Sequence, residues 1–244
     1  MKKTTDFSGF KKKFVSNLSW QLPECAIQAE ALLSDLANSL AKNRYVDSAA
    51  LFQISFGSIR SALTLANAGA VGAIPSVLRH SLEATLYAFL FVKNSEFHDL
   101  WWRRHDDPEA KGRFARKGLK TAHAELKTVS KSINEKTEAC YQSLIDFGAH
   151  PNIRQYLGIS NYVEFDSGRS GEPLEVSILA SEHQRNLAIV MVVQVSISLA
   201  EIYYLIWPER YIQKVDGRRY LELIGQLKVF SNYAYSDEEF DSSR

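Results

Sequence analysis

Residues 187–207 read LAIVMVVQVSISLAEIYYLIW, and this apolar run is the main basis for the fold predicted below. As a helix it is long enough to cross a bilayer. However, it contains Gln194 and Glu201, and a carboxylate within a single membrane span is costly. Because a helix that is apolar on every face is buried somewhere, the run indicates a core helix over 183–207. We therefore expect a cytoplasmic protein with no membrane partner.

The remaining helices are predicted outward from this core. Pro75 suits the first turn of a second apolar helix over 73–93. Further helices are predicted after Pro23, over 47–68, over 109–145 and over 216–230. In the helix over 47–68, Asp47 or Ser48 is the expected N-cap. The predicted fold class is all-α, a helical bundle of about six or seven helices centred on 73–93 and 183–207.

Helical spacing is clearest over 109–145. Apolar residues recur there at alternating steps of four and three, which places them on one helix face. That face comprises Ala115, Leu119, Ala122, Leu126, Val129 and Ile133. The opposite face is basic and comprises Arg113, Arg116, Lys117, Lys120 and Lys127. Such a face is usually only solvated, but it could also contact phosphates, so RNA is one expected partner.

Residues 162–179, YVEFDSGRSGEPLEVSIL, differ from the rest of the chain. Two short β-branched stretches flank a Gly/Ser/Pro turn, which predicts a small β-hairpin insertion. We interpret 21–235 as a single helical domain. A flexible basic arm over 1–20 precedes it, and an acidic flexible tail over 236–244 follows it.

The composition argues against several classes of function. The 244 residues carry a formal net charge of +1, so no global attraction to nucleic acid or anionic membrane is encoded. The two cysteines, Cys25 and Cys140, lack the spacing of a metal site or a redox pair. We interpret them as free thiols in a reducing compartment. The sequence contains no GxGxxG, P-loop, GxSxG or HExxH motif, so neither a cofactor nor a metal is predicted.

Arg79, Glu83 and Tyr87 form one polar stripe on the second apolar helix, because they recur at every fourth position. One interpretation is a structural ion pair that fixes helix packing. The other is a polar anchor that lines a ligand pocket. His80 could join Glu83 as a metal ligand, but the sequence offers no clear third ligand.

A second polar stripe, formed by Gln194, Ser198 and Glu201, lies on the core helix. Buried polar groups need partners, so Glu201 is expected to face a basic group such as Arg79 or Arg60. The stripe is interpreted either as an interhelical hydrogen-bond network or as the far wall of the same pocket.

His150 precedes Pro151 just after a predicted helix end, which holds it in an extended or turn conformation. Such a position often places a side chain at the mouth of a helical bundle. Both a satisfied loop histidine and a catalytic histidine fit this pattern.

Residues 72–91 read GAIPSVLRHSLEATLYAFLF, and Trp101 and then FGAHPN, residues 147–152, follow downstream. This pattern resembles a family of uncharacterised bacterial helical proteins. In that family a small-residue turn enters a helix bearing Arg-x-x-x-Glu, and a His-Pro or His-Ser element follows later. The matching positions here are Arg79, Glu83 and His150. The resemblance covers roughly residues 55–155. It implies a helical bundle in which these three positions share a site, and it implies no established reaction.

Arg116 and His123 are separated by six residues and fit the Arg-x(4–6)-His pattern of the HEPN helical ribonucleases. In those proteins the Arg and the His act on the RNA phosphodiester. The polar residue that commonly follows the family's Arg is here Lys117, which departs from the pattern. The resemblance implies Arg116 and His123 as an alternative catalytic pair.

Three functions follow from these features. The first is a binding or regulatory module that holds a small polar or anionic ligand, or a protein partner, in a pocket between core helices. Its candidate residues are Arg79, Glu83, Tyr87, His150, Gln194 and Glu201. The second is a metal-independent ribonuclease or toxin-like enzyme, with a histidine as general acid or base. Its catalytic candidates are His150, Arg79 and Glu83, or alternatively Arg116 and His123. The third is a structural dimerisation protein, a homo-oligomer with an apolar face for its partner.

Overall fold

The computed structural model describes residues 15, 18, 20–40, 45–149 and 180–241, and most of them are helical. The α-helices in these ranges are α1 (Glu24–Asn38), α2 (Val46–Ala68), α3 (Ile74–Lys93), α4 (Ser95–Arg103), α5 (Pro108–Val129), α6 (Lys131–Leu144), α7 (Glu182–Ile206), α8 (Pro208–Lys214) and α9 (Gly217–Asp241). A 3₁₀ turn, Val71–Ala73, precedes α3, and a π turn, Ile145–Ala149, follows α6. The predicted all-α class is confirmed for this part of the chain.

Helices α3 and α7 lie at the centre of the bundle. Helix α3 packs against α2, α5 and α7, and α7 packs against α1, α2, α3, α6 and α9. Their large apolar side chains are fully buried, as Leu82 and Phe89 of α3 and Ile202 of α7 illustrate. Burying one side chain of this size stabilises a fold by about 1.5–3 kcal/mol. The two apolar stretches of the sequence therefore supply much of the core.

Buried hydroxyl groups join α2 to α3, the helices with the most extensive mutual contact. Ser55 Oγ donates to the Ser81 carbonyl at 2.7 Å, and Ser81 Oγ donates to the Ser55 carbonyl at 2.9 Å. Thr85 Oγ1 donates to Ser55 Oγ at 2.8 Å. All three side chains are buried, so each helix satisfies polar groups of the other. Their small size also lets the two backbones approach closely.

The single helix predicted over 109–145 is in fact two helices, α5 and α6. Ser130 ends the first and caps the second, because its hydroxyl accepts a hydrogen bond from the Ile133 amide at 3.3 Å. The predicted apolar face is also partly wrong, since Ala115 and Val129 are exposed. The buried face of α5 runs instead through Ala110, Phe114, Gly118, Ala122 and Leu126. This split and the short helices α4 and α8 raise the number of described helices above the six or seven predicted.

Helix α2 begins without the predicted side-chain cap. Its N-cap position is Tyr45, which makes no capping hydrogen bond through its side chain. Asp47 instead accepts from helix α4, where His98 Nε2 lies 2.7 Å and Trp102 Nε1 lies 3.1 Å from its Oδ2. A tertiary contact has therefore taken the carboxylate that the local pattern assigns to capping.

The predicted hairpin over 162–179 lies outside the described residues, and the residues that the structure describes contain no strand. Most of the predicted basic arm over 1–20 also lies outside them. At the other end, the helix predicted over 216–230 continues through Asp241, well into the predicted acidic tail.

By length and composition alone, α2 and α7 could each cross a membrane. Within their most apolar windows, however, 44% of the α2 residues and 67% of the α7 residues are buried inside the bundle. The core helix of a soluble protein passes the same test, so these helices are weak evidence for membrane insertion. A cytoplasmic location stays a prediction.

Candidate functional site

The polar stripe of α3 contains an ion pair. Arg79 Nε donates to Glu83 Oε1 at 2.8 Å, across the spacing of four residues noted in the sequence. The side chains are 26% and 25% exposed, so water screens this pair less than a fully exposed one. The hydrogen bond to Glu83 is the main cause that raises the pKa of Arg79, and the guanidinium stays charged.

Tyr141 of α6 joins this ion pair. Its hydroxyl donates to the same Glu83 oxygen at 2.8 Å, and the Arg79 guanidinium lies 5.5 Å from the centre of its ring. Burial, followed by the hydrogen bond to Glu83, raises the pKa of Tyr141 to about 12. The phenol therefore stays a proton donor. Arg79, Glu83 and Tyr141 are referred to below as the Glu83 cluster.

His123 of α5 packs edge-on against the Tyr141 ring, with ring centres 6.1 Å apart. Its Nδ1 lies 2.9 Å from Oδ1 of Asn134, a buried residue of α6. Asn134 Nδ2 lies 3.5 Å from Glu138 Oε2, which orients the amide. With Asn134 Oδ1 as the acceptor, Nδ1 of His123 carries the proton. The neutral imidazole then keeps its acceptor lone pair on Nε2.

Tyr87, the third member of the stripe, packs between helices. Its ring centre lies 5.0 Å from that of Phe114 on α5 and 6.4 Å from that of Phe91. Burial, followed by the charge of Glu83, raises the pKa of Tyr87. A Cβ added to Gly118 would lie 3.4 Å from Tyr87 and from Phe114, so this glycine helps α5 to lie close to α3. Tyr87 thus contributes mainly to the α3–α5 interface.

Arg116 lies two helical turns before His123 on α5, and its side chain is exposed. Residues seven apart lie on one face of a helix, so the two share a face. On the rest of the predicted basic face, Arg113 forms an ion pair with Glu96 of α4. The others, Lys117, Lys120 and Lys127, are exposed.

His150 lies outside the described residues, which break off after Ala149. The chain just before it lies near the start of α3, since Ser76 Oγ is 3.5 Å from the Gly148 carbonyl. Gly148 has a φ of 129°, a backbone conformation that side chains disfavour and glycine allows. Ser76 is about one turn from Arg79, so the chain is brought near the polar stripe just before it reaches His150.

Glu201 does not pair with Arg79 or Arg60, so these predicted partners are wrong. Lys136 Nζ of α6 lies 2.7 Å from Glu201 Oε1, and the Tyr220 hydroxyl of α9 donates to the same oxygen at 2.9 Å. Glu201, Lys136 and Tyr220 are referred to below as the Glu201 cluster. It joins α6, α7 and α9.

The carboxylate of Glu201 is more enclosed than that of Glu83. Its side chain is 12% exposed, and its Oε2 is buried without a hydrogen-bond partner in the described part of the chain. Burial, followed by the charge of Glu201, raises the pKa of Tyr220 well above its ordinary value. The same causes raise the pKa of Tyr211 to about 12.

The other two residues of the second stripe do not join the Glu201 cluster. Ser198 Oγ lies 3.8 Å from Cys140 Sγ on α6, whereas Gln194 is exposed. The stripe therefore supplies one interhelical contact besides Glu201. His80 is also exposed, and no group of three or more His, Cys, Asp or Glu side chains comes together within the described ranges.

Sequence reasoning missed four residues of the two clusters and their surroundings, namely Asn134, Lys136, Tyr141 and Tyr220. Asn134 and Tyr141 are seven residues apart, so they share a face of α6, and this spacing was a usable signal. Lys136 and Tyr220 carry no such signal, because their common partner lies on another helix.

No family model, curated protein or solved structure matches this chain. The two resemblances predicted from the sequence therefore stay predictions.

Proposed function

We propose that the protein binds a small anionic ligand at the Glu83 cluster, beside His123. The observation that supports this proposal is the meeting of a guanidinium, a carboxylate and an imidazole around one half-buried tyrosine ring. Three helices contribute these groups. A structural ion pair between Arg79 and Glu83 would need neither the imidazole nor its buried amide partner.

The chemistry of the groups favours a phosphate or carboxylate. Anionic oxygens accept strong, charge-assisted hydrogen bonds from a guanidinium and from a protonated imidazole. The Arg79 guanidinium and the His123 ring lie 5.5 Å and 6.1 Å from the centre of the Tyr141 ring, which offers a ligand an apolar surface beside both polar groups. Glu201 belongs to a different cluster, so the ligand site proposed here is smaller than the pocket expected from the sequence.

Inorganic phosphate is a suitable first probe, with melting temperature as the readout. If the dissociation constant is near 1 mM, 10 mM phosphate stabilises the folded state by about 1.4 kcal/mol. For a chain of this length that corresponds to a rise of about 4 °C.

Variants separate site binding from the general stabilising effect of phosphate. Arg79→Gln and His123→Gln should lose the specific rise. The control is Arg60→Gln on α2, which removes an ion pair between Arg60, 56% exposed, and Glu30 of α1, 31% exposed. An equal rise in all four proteins would refute the proposal.

Metal-independent RNA cleavage is a second candidate, favoured by the hydrogen bond between His123 and Asn134. This bond leaves Nε2 of the neutral imidazole as a proton acceptor. Nε2 would take the proton of a ribose 2′-hydroxyl as that oxygen attacks phosphorus. The 5′-oxygen would leave and take up a proton, which yields a cyclic phosphate. Arg116, on the same face of α5, is the candidate partner for the phosphate charge.

Labelled total RNA incubated with EDTA tests this candidate. Cleavage should persist with chelator and disappear in His123→Ala. Asn134→Ala should shift the pH profile, because it removes the group that fixes the imidazole tautomer. His80→Ala, an exposed histidine on α3, is the matched control, and His150→Ala tests the other predicted histidine. Intact RNA with the unmodified protein would eliminate the candidate without affecting the phosphate experiment.

A further inference from the structure

Helix α9 has a buried apolar face and an exposed apolar face. Leu223 and Ala234 are 1% and 0% exposed where α9 packs on α1 and α7. Large apolar side chains also lie on the outer surface of the helix, at exposures between 38% and 72%. These are Leu221, Ile224, Val229, Tyr233 and Tyr235. A surface helix of a monomer needs only one apolar face, so the second face requires an explanation.

Side-chain size increases along one line of residues on the outer surface of α9. Gly225, Val229 and Tyr233 recur at every fourth position and lie on one stripe. A Cβ added to Gly225 would meet no atom within 4 Å, so nothing in the described chain requires a glycine there. Glycine in the middle of a helix is unfavourable unless another group must come close. The small residue at one end of the line and the large one at the other suit a copy running in the opposite direction.

The stripe borders an open groove of about 690 Å³ between α9 and the start of α1. Besides the stripe, the groove is lined by Pro23, Glu24, Cys25, Glu222, Gln226 and Phe230. The groove provides space next to Gly225 into which a side chain from outside can enter.

Charge is distributed along α9 with opposite signs at its ends. The helix begins with Arg218 and Arg219, the second of which also forms an ion pair with Asp35 of α1, and its last turns carry acidic residues. These are Asp237, Glu238, Glu239 and Asp241. Two copies in antiparallel orientation place the basic start of each helix beside the acidic end of the other. Parallel copies would place like charges together at both ends.

We propose that this face of α9 binds a second copy of the chain, with the two helices antiparallel and the two-fold axis near Val229. That register places Gly225 of one copy opposite Tyr233 of the other, on both sides of the axis. A two-fold interface needs such a self-complementary surface. The paired helices, about 37 Å long, would bury the stripe of Gly225, Val229 and Tyr233 and the groove that it borders.

The oligomeric state of the full chain tests the proposal. Light scattering with size exclusion, at protein concentrations from about 5 to 500 μM, should detect a species of twice 27.6 kDa. Gly225→Leu should weaken the dimer at least tenfold, because the new side chain occupies the place of the partner's tyrosine. The monomer itself has room for this side chain, and leucine favours a helix more than glycine does. Its melting temperature should therefore be maintained or raised.

Gly57→Leu is the matched control, because Gly57 lies within α2 and also has no atom near an added Cβ. It should leave the dimer unchanged. A mass of 27.6 kDa at every concentration would overturn the proposal, including the case in which a segment of the same chain fills the groove. A dimer that tolerates Gly225→Leu would overturn it as well.

Cysteine cross-linking tests the register. Under mild oxidation Val229→Cys should give a covalent dimer, because the two copies of this position meet at the axis. The two copies of position 225 would be about 12 Å apart along the helices, too far for a disulfide. Gly225→Cys should therefore stay monomeric on a denaturing gel. Efficient cross-linking of Gly225→Cys would refute the antiparallel arrangement.

Discussion

Helix α6 takes part in two carboxylate clusters that are built alike and exposed differently. In each cluster one glutamate oxygen accepts hydrogen bonds from a cation and from a tyrosine hydroxyl. Glu83 is 25% exposed and lies near an oriented histidine, whereas Glu201 is 12% exposed and ties three helices together. We expect that similar groups of side chains serve ligand binding at Glu83 and stability at Glu201. The depth of the carboxylate and its neighbours make the difference.

Lys136→Met should have the largest effect on stability. It leaves the enclosed Glu201 carboxylate with Tyr220 alone, and the loss of one partner from a buried ion pair is strongly destabilising. Because Lys136 itself is 55% exposed, we expect about 2–3 kcal/mol, measured by urea denaturation. Lys131→Met, which breaks an exposed pair with Glu135, is the control and should cost less than about 0.5 kcal/mol. If Lys136→Met and Lys131→Met lost equal stability, the deeper burial of Glu201 would have no effect on stability.

Arg79→Met should have a smaller effect, about 1 kcal/mol, because water can reach Glu83 and Tyr141 still donates to it. The measurement is the same denaturation experiment. A loss as large as that of Lys136→Met would show that the Glu83 cluster is also chiefly structural. The phosphate experiment would then become the deciding test of ligand binding.

The tyrosines should make stability depend on alkaline pH. The folded-state pKa of Tyr141, about 12, exceeds its ordinary value, and the pKa of Tyr220 is raised as well. Above pH 10 the unfolded chain loses these protons first, so stability is complete below pH 10 and declines as pH rises toward 12. Tyr141→Phe and Tyr220→Phe should each reduce this decline between pH 10 and 12. An identical decline in the unmodified protein and in both variants would contradict the prediction.

His123→Gln should have the smallest effect on stability, about 0.5 kcal/mol, because the imidazole is partly exposed. Its effect on phosphate binding should nevertheless be as large as that of Arg79→Gln. A variant that is nearly as stable as the unmodified protein but fails to bind phosphate would support the division into a ligand-binding Glu83 cluster and a structural Glu201 cluster. A variant that is strongly destabilised but still binds phosphate would show that His123 serves stability and not binding.

The ion pair of α3 was predictable from sequence, because residues four apart on a helix meet whatever surrounds them. The same is true of the two core helices, whose apolar length leaves few alternatives to burial. The partners from α6 were not predictable in this way. Helix α5 ends and α6 begins at Ser130. The residues after it therefore do not lie on the face that a continuous helix over 109–145 predicts. Lys136 and Tyr141 then point to neighbours that a single helical period cannot identify.

The partner of Glu201 depends on a different kind of information. Sequence spacing correctly indicates that a polar group on an apolar helix needs a partner. It does not indicate which helix lies beside it, since that depends on the order in which the helices pack. Lys136 was therefore not predicted, although it provides the positive charge that Glu201 was expected to face.

The hydroxyl contacts between α2 and α3 have a consequence for the order of folding. These helices are joined by a short turn, so Ser55, Ser81 and Thr85 meet at small separation in the chain. Contacts of this kind close quickly, because little loop entropy opposes them. We expect α2 and α3 to associate early as a helical hairpin, and their buried amides to exchange hydrogen for deuterium most slowly in the native protein.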